Sequence, residues 1–177
     1  MDIRQYLDST YLKTAGQAGL TEAENNEVVK STVQEAIAEK YKLVMIRPEM
    51  VVVAREMIQE KESKVLIGTV IDFPLGQGSL EDKLAEAEKA ISDGADDLDF
   101  VLDYEGFKTG NVAEVKKQVL ECTRLGLEHN KTVKWIIEIA ALNDHEIVQL
   151  SALVKNVLLT NFDENSYSKA FVKASTG

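Results

Sequence analysis

The chain has 177 residues, of which 45% are hydrophobic and 28% are charged, a balance typical of a globular domain with one sizeable core. Its formal net charge of −10 argues against nucleic acid or an anionic membrane surface as the main partner. A single cysteine, Cys122, excludes an internal disulfide and predicts a reducing, cytoplasmic location. No apolar run reaches the roughly 18 residues of a membrane span, and no signal-peptide pattern opens the sequence.

Apolar runs alternate with amphipathic segments along the whole chain, which predicts strands that alternate with helices. The predicted strands cover residues 6–12, 42–47, 64–73, 97–102, 132–139 and 170–174. The predicted helices cover residues 21–40, 49–60, 79–92, 112–129 and 143–159. Two of these helices begin with the spacing of a capping box, a hydroxyl residue followed three residues later by an acid: Thr21 with Glu24, and Ser79 with Asp82.

Six strands separated by five helices predict an α/β fold with a parallel sheet, either doubly wound or closed as a TIM-type (β/α)8 barrel. The dinucleotide-binding version has little support because no G-x-G-x-x-G turn follows the first strand. Polar residues inside the strands favour the barrel, since period-two alternation places Asp97 and Asp99 on one face, opposite apolar residues. Lys134 and Lys173 likewise lie between apolar residues of their own strands, so their side chains are expected on the face opposite those neighbours. This pattern predicts ionisable groups in the lumen of a barrel, near a catalytic rim. The alternative is a lumen of paired charges that only holds the strand register.

The last predicted strand carries Lys173 between Val172 and Ala174. A lysine in such apolar surroundings is expected to point into an interior or a pocket, and burial of an ammonium group usually lowers its pKa. A neutral amine can attack a carbonyl and form a Schiff base. The alternative is a lysine whose charged end reaches solvent at the end of the strand.

Residues 171–177, FVKASTG, resemble the Schiff-base strand of deoxyribose-phosphate aldolases, which is usually V-K-T-S-T-G. Four more segments resemble motifs of the same family in the same order: L-D-H-T-x-L-K at residues 7–13 (LDSTYLK), T-V-I-G-F-P-x-G at 69–76 (TVIDFPLG), G-A-D-E-[IV]-D at 94–99 (GADDLD) and K-V-I-I-E at 134–138 (KWIIE). Five motifs in one order along the whole chain are a specific signal.

The resemblance implies a class I aldolase on a TIM-type barrel, with a role in deoxyribonucleotide catabolism. Such enzymes interconvert 2-deoxyribose 5-phosphate with glyceraldehyde 3-phosphate and acetaldehyde, with no metal or other cofactor. Carried over by motif, Lys173 is the amine that forms the carbinolamine and the imine, and Asp99 is the acid/base group. Asp8, Thr10 and Lys134 match family positions that line the site. The expected partners are small sugar phosphates and aldehydes and a second copy in a homodimer, with no nucleic acid or membrane.

Family members continue past S-T-G through two further strands, which supply a second lysine that lowers the pKa of the nucleophile and glycine-rich loops that bind the substrate phosphate. The present sequence ends at Gly177. Residues 1–177 are therefore expected to form a single barrel domain truncated after its sixth strand, with an open edge on that strand. The alternatives are a partner chain that supplies the missing part, a fragment without activity, and another Schiff-base lyase of the same fold.

Five residues that are given no role in the reaction receive simpler interpretations. Asp72 stands where the family has glycine, and we expect it to be solvated at the rim, although a carboxylate there could also repel a phosphate. His129 and His145 lack the spacing of metal ligands and are expected on the surface. Cys122 and Trp135 have apolar neighbours and are expected to pack in the core.

Overall fold

A computed structural model describes residues 2–174, so the predictions that concern Ser175, Thr176 and Gly177 lie outside the described residues. In the described range, the strands are β1 (Asp8–Tyr11), β2 (Leu43–Ile46), β3 (Leu66–Ile71), β4 (Asp97–Val101), β5 (Thr132–Ile137) and β6 (Ala170–Ala174). The helices are α1 (Ala15–Ala18), α2 (Glu22–Glu39), α3 (Val51–Glu60), α4 (Leu80–Asp93), α5 (Tyr104–Lys108), α6 (Val112–Glu128) and α7 (Asp144–Asn161). Short 3₁₀ segments lie at Ile3–Tyr6, Pro48–Met50, Ile139–Ala141 and Glu164–Lys169.

The predicted alternation of strands and helices is confirmed, and the end of each predicted element lies within two residues of its end in the structure. The predicted first strand is too long at its start because Ile3–Tyr6 forms a 3₁₀ helix. The two shortest helices, α1 and α5, were not predicted, since four or five residues are too few to show an apolar periodicity. The capping boxes at Thr21 and Ser79 are both present.

The described chain divides into two compact units, residues 2–70 with 90–96 and residues 71–89 with 97–174. In the first unit, β1, β2 and β3 are parallel neighbours in chain order. In the second unit, β4, β5 and β6 are also parallel neighbours in chain order. Parallel strands that follow the chain order, with helices between them, are the arrangement of a TIM-type barrel, and the described residues contain six of its eight strands.

The first unit buries β2 completely: all four residues of this strand are inaccessible to solvent. A continuous apolar strand of this kind is typical of a parallel sheet that is covered on both faces. Val29, Val33 and Ala36 form the buried face of α2, as the apolar periodicity of that segment predicts.

In the second unit, α6 packs closely on one face of β4 and β5. The indole of Trp135 donates a hydrogen bond to Thr123 of α6 over 3.0 Å, and its ring stacks on Phe100 with centroids 5.1 Å apart. A Cβ atom added at Gly126 would lie 2.3 Å from a methyl carbon of Val133, so glycine permits this approach. The predicted core role of Trp135 is therefore confirmed, and the opposite face of the strands is left for their polar side chains.

The simple interpretations of Cys122, His129 and His145 are also confirmed. Cys122 is buried, and its burial raises the pKa of the thiol to about 12. His129 and His145 are exposed. Among the helices of residues 2–174, none is both long enough and apolar enough to cross a bilayer.

Candidate active site

The ionisable residues of β4, β5 and β6 come together on one side of the second unit. The Lys173 amine donates a hydrogen bond to Oδ2 of Asp99 over 2.6 Å. Nζ of Lys134 lies 2.8 Å from Oδ2 of Asp97 and 3.3 Å from Oδ1 of Asp99. Two lysines and two carboxylates thus form one cluster, which confirms that alternation along three strands places these side chains on a common face.

The strand register explains the geometry of this cluster. Asp99 lies directly opposite Lys134, whereas Lys173 lies opposite Ile136, two residues farther along β5. The Lys173 side chain therefore reaches Asp99 diagonally across β5, which only a long side chain can do. The contact depends on the relative register of three strands and not on sequence spacing.

Asp99 is the most enclosed member of the cluster, since its side chain is fully buried. Burial raises the pKa of this carboxyl, although the charges of Lys134 and Lys173 act in the opposite direction. Its Oδ1 atom is buried without a hydrogen-bond partner among the described residues, and the Lys134 amine forms an ion pair with it over 3.3 Å. A carboxylate with a raised pKa is suited to accept a proton.

The two lysines differ in their access to solvent. The Lys173 side chain is 23% exposed, whereas that of Lys134 is 14% exposed. Lys173 is thus held by a buried carboxylate while part of its side chain can meet a small molecule. The sequence-based alternative, in which Lys173 extends from the strand end to solvent, is wrong because its amine turns toward Asp99.

The other two predicted site residues, Asp8 and Thr10, lie on β1 in the first unit. Both side chains are exposed, and the Thr10 hydroxyl donates a hydrogen bond to the backbone carbonyl of Asp8 over 3.3 Å. The structure brings Asp99, Lys134 and Lys173 together, and the role of Asp8 and Thr10 stays a prediction.

The expectation that Asp72 is simply solvated is wrong. Its Oδ2 atom accepts hydrogen bonds from the amine of Lys83 and from the backbone N–H of Gly78, each over 2.7 Å. Lys83 is completely buried in α4, and sequence reasoning missed it because a lysine in an amphipathic helix is usually solvated. Its spacing from two buried neighbours, Leu80 and Ala87, is the signal that could have revealed it.

Within residues 2–174, no three His, Cys, Asp or Glu side chains lie close enough together to share a metal ion. The side chains of the cluster are two amines and two carboxylates. Such a set suits proton transfer and attack on a carbonyl.

Comparisons with known proteins identify similar chains. Residues 6–155 match the profile of the DeoC/LacD family aldolases. The chain is 34% identical over 177 residues to deoxyribose-phosphate aldolase of Thermococcus gammatolerans, covering 100% of this chain and 71% of that protein. It is 36% identical to the enzyme of the same name from Staphylococcus saprophyticus, covering 100% of this chain and 70% of that protein.

A solved structure has a similar fold. The tetrameric deoxyribose phosphate aldolase from Aeropyrum pernix superposes with a TM-score of 0.77 at 26% identity, covering 98% of this chain and 64% of that chain. The present chain therefore spans about two thirds of that structure and somewhat more of the curated relatives.

Proposed function

The chain belongs to the DeoC/LacD family of aldolases, and on that premise we propose that it cleaves 2-deoxy-D-ribose 5-phosphate reversibly to D-glyceraldehyde 3-phosphate and acetaldehyde. The two relatives described above carry the name of this activity. The observation that carries the proposal is the 2.6 Å contact between the Lys173 amine and the buried carboxylate of Asp99. This contact joins a candidate nucleophile to a candidate base.

In the proposed first step, Asp99 accepts a proton from Lys173 and leaves a neutral amine. The burial that raises the pKa of Asp99 strengthens it as a base and so favours this transfer. The amine then attacks the aldehyde carbon of the open-chain sugar and forms a carbinolamine. Loss of water, with a proton returned by Asp99 or a water molecule, gives the imine.

In the proposed second step, the protonated imine accepts the electrons of the breaking bond between C2 and C3 of the sugar. The C3 hydroxyl loses its proton and becomes the aldehyde of glyceraldehyde 3-phosphate, while C1 and C2 remain on Lys173 as an enamine. Protonation of C2 gives the imine of acetaldehyde, which water hydrolyses to acetaldehyde and the free amine. Asp99, with water, is the group proposed to carry these protons.

Lys134 is proposed to hold Asp99 in place rather than to react. Its amine is already bound to Asp97 at 2.8 Å and lies 3.3 Å from the far oxygen of Asp99. A charge at this distance keeps the carboxylate oriented toward Lys173. Asp8 and Thr10 are proposed to line the substrate site, as their motif positions imply.

The location, the partners and the self-association proposed for this chain follow from its composition and from its relatives. The single cysteine supports a cytoplasmic location. Small sugar phosphates and aldehydes are the proposed partners. Assembly into a homodimer is also proposed, and the tetrameric Aeropyrum pernix relative supports self-association in this family.

Borohydride trapping tests the nucleophile. Incubation of the protein with acetaldehyde and then borohydride should add one ethyl group, and peptide mass spectrometry should place this group on Lys173. Lys173→Met should abolish trapping, whereas Lys169→Met should not, because the amine of Lys169 contacts Asn130 and lies outside the cluster. An ethyl group on Lys134 would refute the assignment of the nucleophile. Turnover of deoxyribose 5-phosphate without any trapped lysine would refute the Schiff-base mechanism.

A further inference from the structure

The loop between β3 and α4 is held by an ion pair between Asp72 and the fully buried Lys83, which the proposed mechanism does not use. Lys83 is fully buried, and its amine donates three hydrogen bonds: to Asp72 over 2.7 Å, to the carbonyl of Gly76 over 2.8 Å and to the carbonyl of Val101 over 3.0 Å. A lysine has three N–H donors, so this site satisfies all of them. A buried ammonium group needs such a complete set of acceptors, because an unpaired charge in the interior is strongly destabilising.

Asp72 has a backbone conformation that glycine adopts more easily, so the contacts of its carboxylate distinguish it from glycine at this position. Its φ angle is +55°, in the left-handed region that glycine adopts most easily and that aspartate and asparagine tolerate. Glycine is the residue of the resembling motif at this position, so backbone conformation alone would favour glycine. The carboxylate instead provides the acceptor for Lys83 and also binds the backbone N–H of Gly78.

The ion pair connects the loop to the end of β4. The bond from Lys83 to Val101 ends on the last residue of this strand, two residues after Asp99. A Cβ atom added at Gly76 would lie 2.7 Å from the carbonyl oxygen of Leu102 and 2.9 Å from a methyl carbon of Val101, so the loop backbone lies directly against the strand end.

The end of β4 is also hydrogen-bonded to β5, the strand that lies between β4 and the Lys173 strand, β6. The N–H of Leu102 donates a hydrogen bond to the carbonyl of Ile136 over 3.0 Å. Ile136 is the register partner of Val101 on one side and of Lys173 on the other. Displacement of the end of β4 would therefore change the separation between Asp99 and Lys173.

We propose that Lys83 and Asp72 are positioning residues for the aldolase reaction: together they clamp the β3–α4 loop onto the end of β4 and so fix Asp99 relative to Lys173. This inference rests on the proposed function. It also assigns Asp72, which stands where the resembling motif has glycine, to a specific contact.

Four variants test this clamp. Lys83→Met keeps much of the side-chain volume but removes the three donors, and Asp72→Ala removes the acceptor. Asp72→Asn is the conservative variant, since both hydrogen bonds to Asp72 end on one oxygen and an amide oxygen can accept both. Lys116→Met, at an exposed position of α6, is the matched control for loss of a lysine.

The kinetic readouts are the separate changes in kcat and in KM for deoxyribose 5-phosphate. They are measured on variants whose folding is verified by circular dichroism. Lys83→Met and Asp72→Ala should each lower kcat by about 10- to 100-fold, with a much smaller change in KM, because small misplacements of reacting groups cost up to about 100-fold. Asp72→Asn should recover most of the rate, and Lys116→Met should match the wild type. Wild-type kcat in folded Lys83→Met and Asp72→Ala would overturn the proposal. If Lys83→Met does not fold, the two Asp72 variants decide.

A second readout does not depend on activity. Amide hydrogen exchange at Gly76, Gly78 and Leu102 should accelerate in Lys83→Met and Asp72→Ala but not in Lys116→Met. Unchanged exchange at these amides would overturn the clamp on its own. A wild-type protein that forms no imine would instead refute the proposed function, and the exchange measurement would still test whether Lys83 and Asp72 hold the loop.

Discussion

Replacement of Asp99 by asparagine tests the central assignment most directly. The change preserves the shape of a fully buried side chain and leaves an amide oxygen that can still accept a hydrogen bond from Lys173. It removes the ability to accept a proton. If Asp99 is the base that frees the Lys173 amine and carries protons in later steps, turnover must fall while the fold is retained.

The expected size of this loss follows from the role proposed for Asp99. General acid–base catalysis is typically worth about 10²–10⁴-fold, which corresponds to about 3–5 kcal/mol of transition-state stabilisation at about 1.4 kcal/mol per tenfold change in rate. Since Asp99 contacts Lys173 directly at 2.6 Å, a loss near the upper end of this range is expected. Borohydride trapping of acetaldehyde should slow as well, because formation of the imine also needs the base.

Asp97 provides the matched control. It lies on the same strand and the same face, is equally buried and is bound to Lys134 at 2.8 Å, but its only ion pair within the described chain is with Lys134 and not with Lys173. The assay is turnover of deoxyribose 5-phosphate by the Asp99→Asn and Asp97→Asn variants, with thermal melting to verify folding. Near-normal turnover of a folded Asp99→Asn variant would refute its role as base. Equal losses in both variants would mean that the cluster acts only by holding the strands.

Three further predictions concern stability and reactivity. Burial raises the pKa of Asp99 in the folded state, so the free energy of unfolding of the wild type should decrease relative to that of Asp99→Asn as pH rises from about 3.8 through the raised pKa. Urea titrations at several pH values measure this difference. An increase with pH would mean that the charges of Lys134 and Lys173 dominate. Cys122, with a pKa of about 12, should resist iodoacetamide at pH 8 in the native protein and react in denaturant; rapid native labelling would contradict its burial. Gly126→Ala should cost about 1–3 kcal/mol in urea unfolding because the new Cβ would overlap Val133, whereas Gly16→Ala, with open space around it, should not destabilise the protein.

The sequence predicts the strands, the long helices and the common face of the strand carboxylates and lysines, because these depend on periodicity along one segment. It does not reveal which lysine binds which carboxylate. The contact between Lys173 and Asp99 crosses β5 diagonally and requires the register of three strands. The burial of Lys83 was missed for a similar reason, since its acceptors come from a loop and from the end of another strand. Contacts that join distant segments are decided by tertiary packing, which local patterns do not encode.

The geometry of the cluster bears on the alternative that its charges only hold the strand register. A purely structural group would be expected to have every buried polar atom satisfied, since an unpaired one is costly. Asp97 and Lys134 resemble such a group, with a 2.8 Å bond between two largely buried side chains. Asp99 does not, because one of its buried oxygens lacks a hydrogen bond and its partner Lys173 is partly open to solvent. The same three strands thus combine one hydrogen-bonded pair with a second pair whose carboxylate keeps one buried oxygen without a hydrogen bond, and the proposed proton transfer is assigned to this second pair.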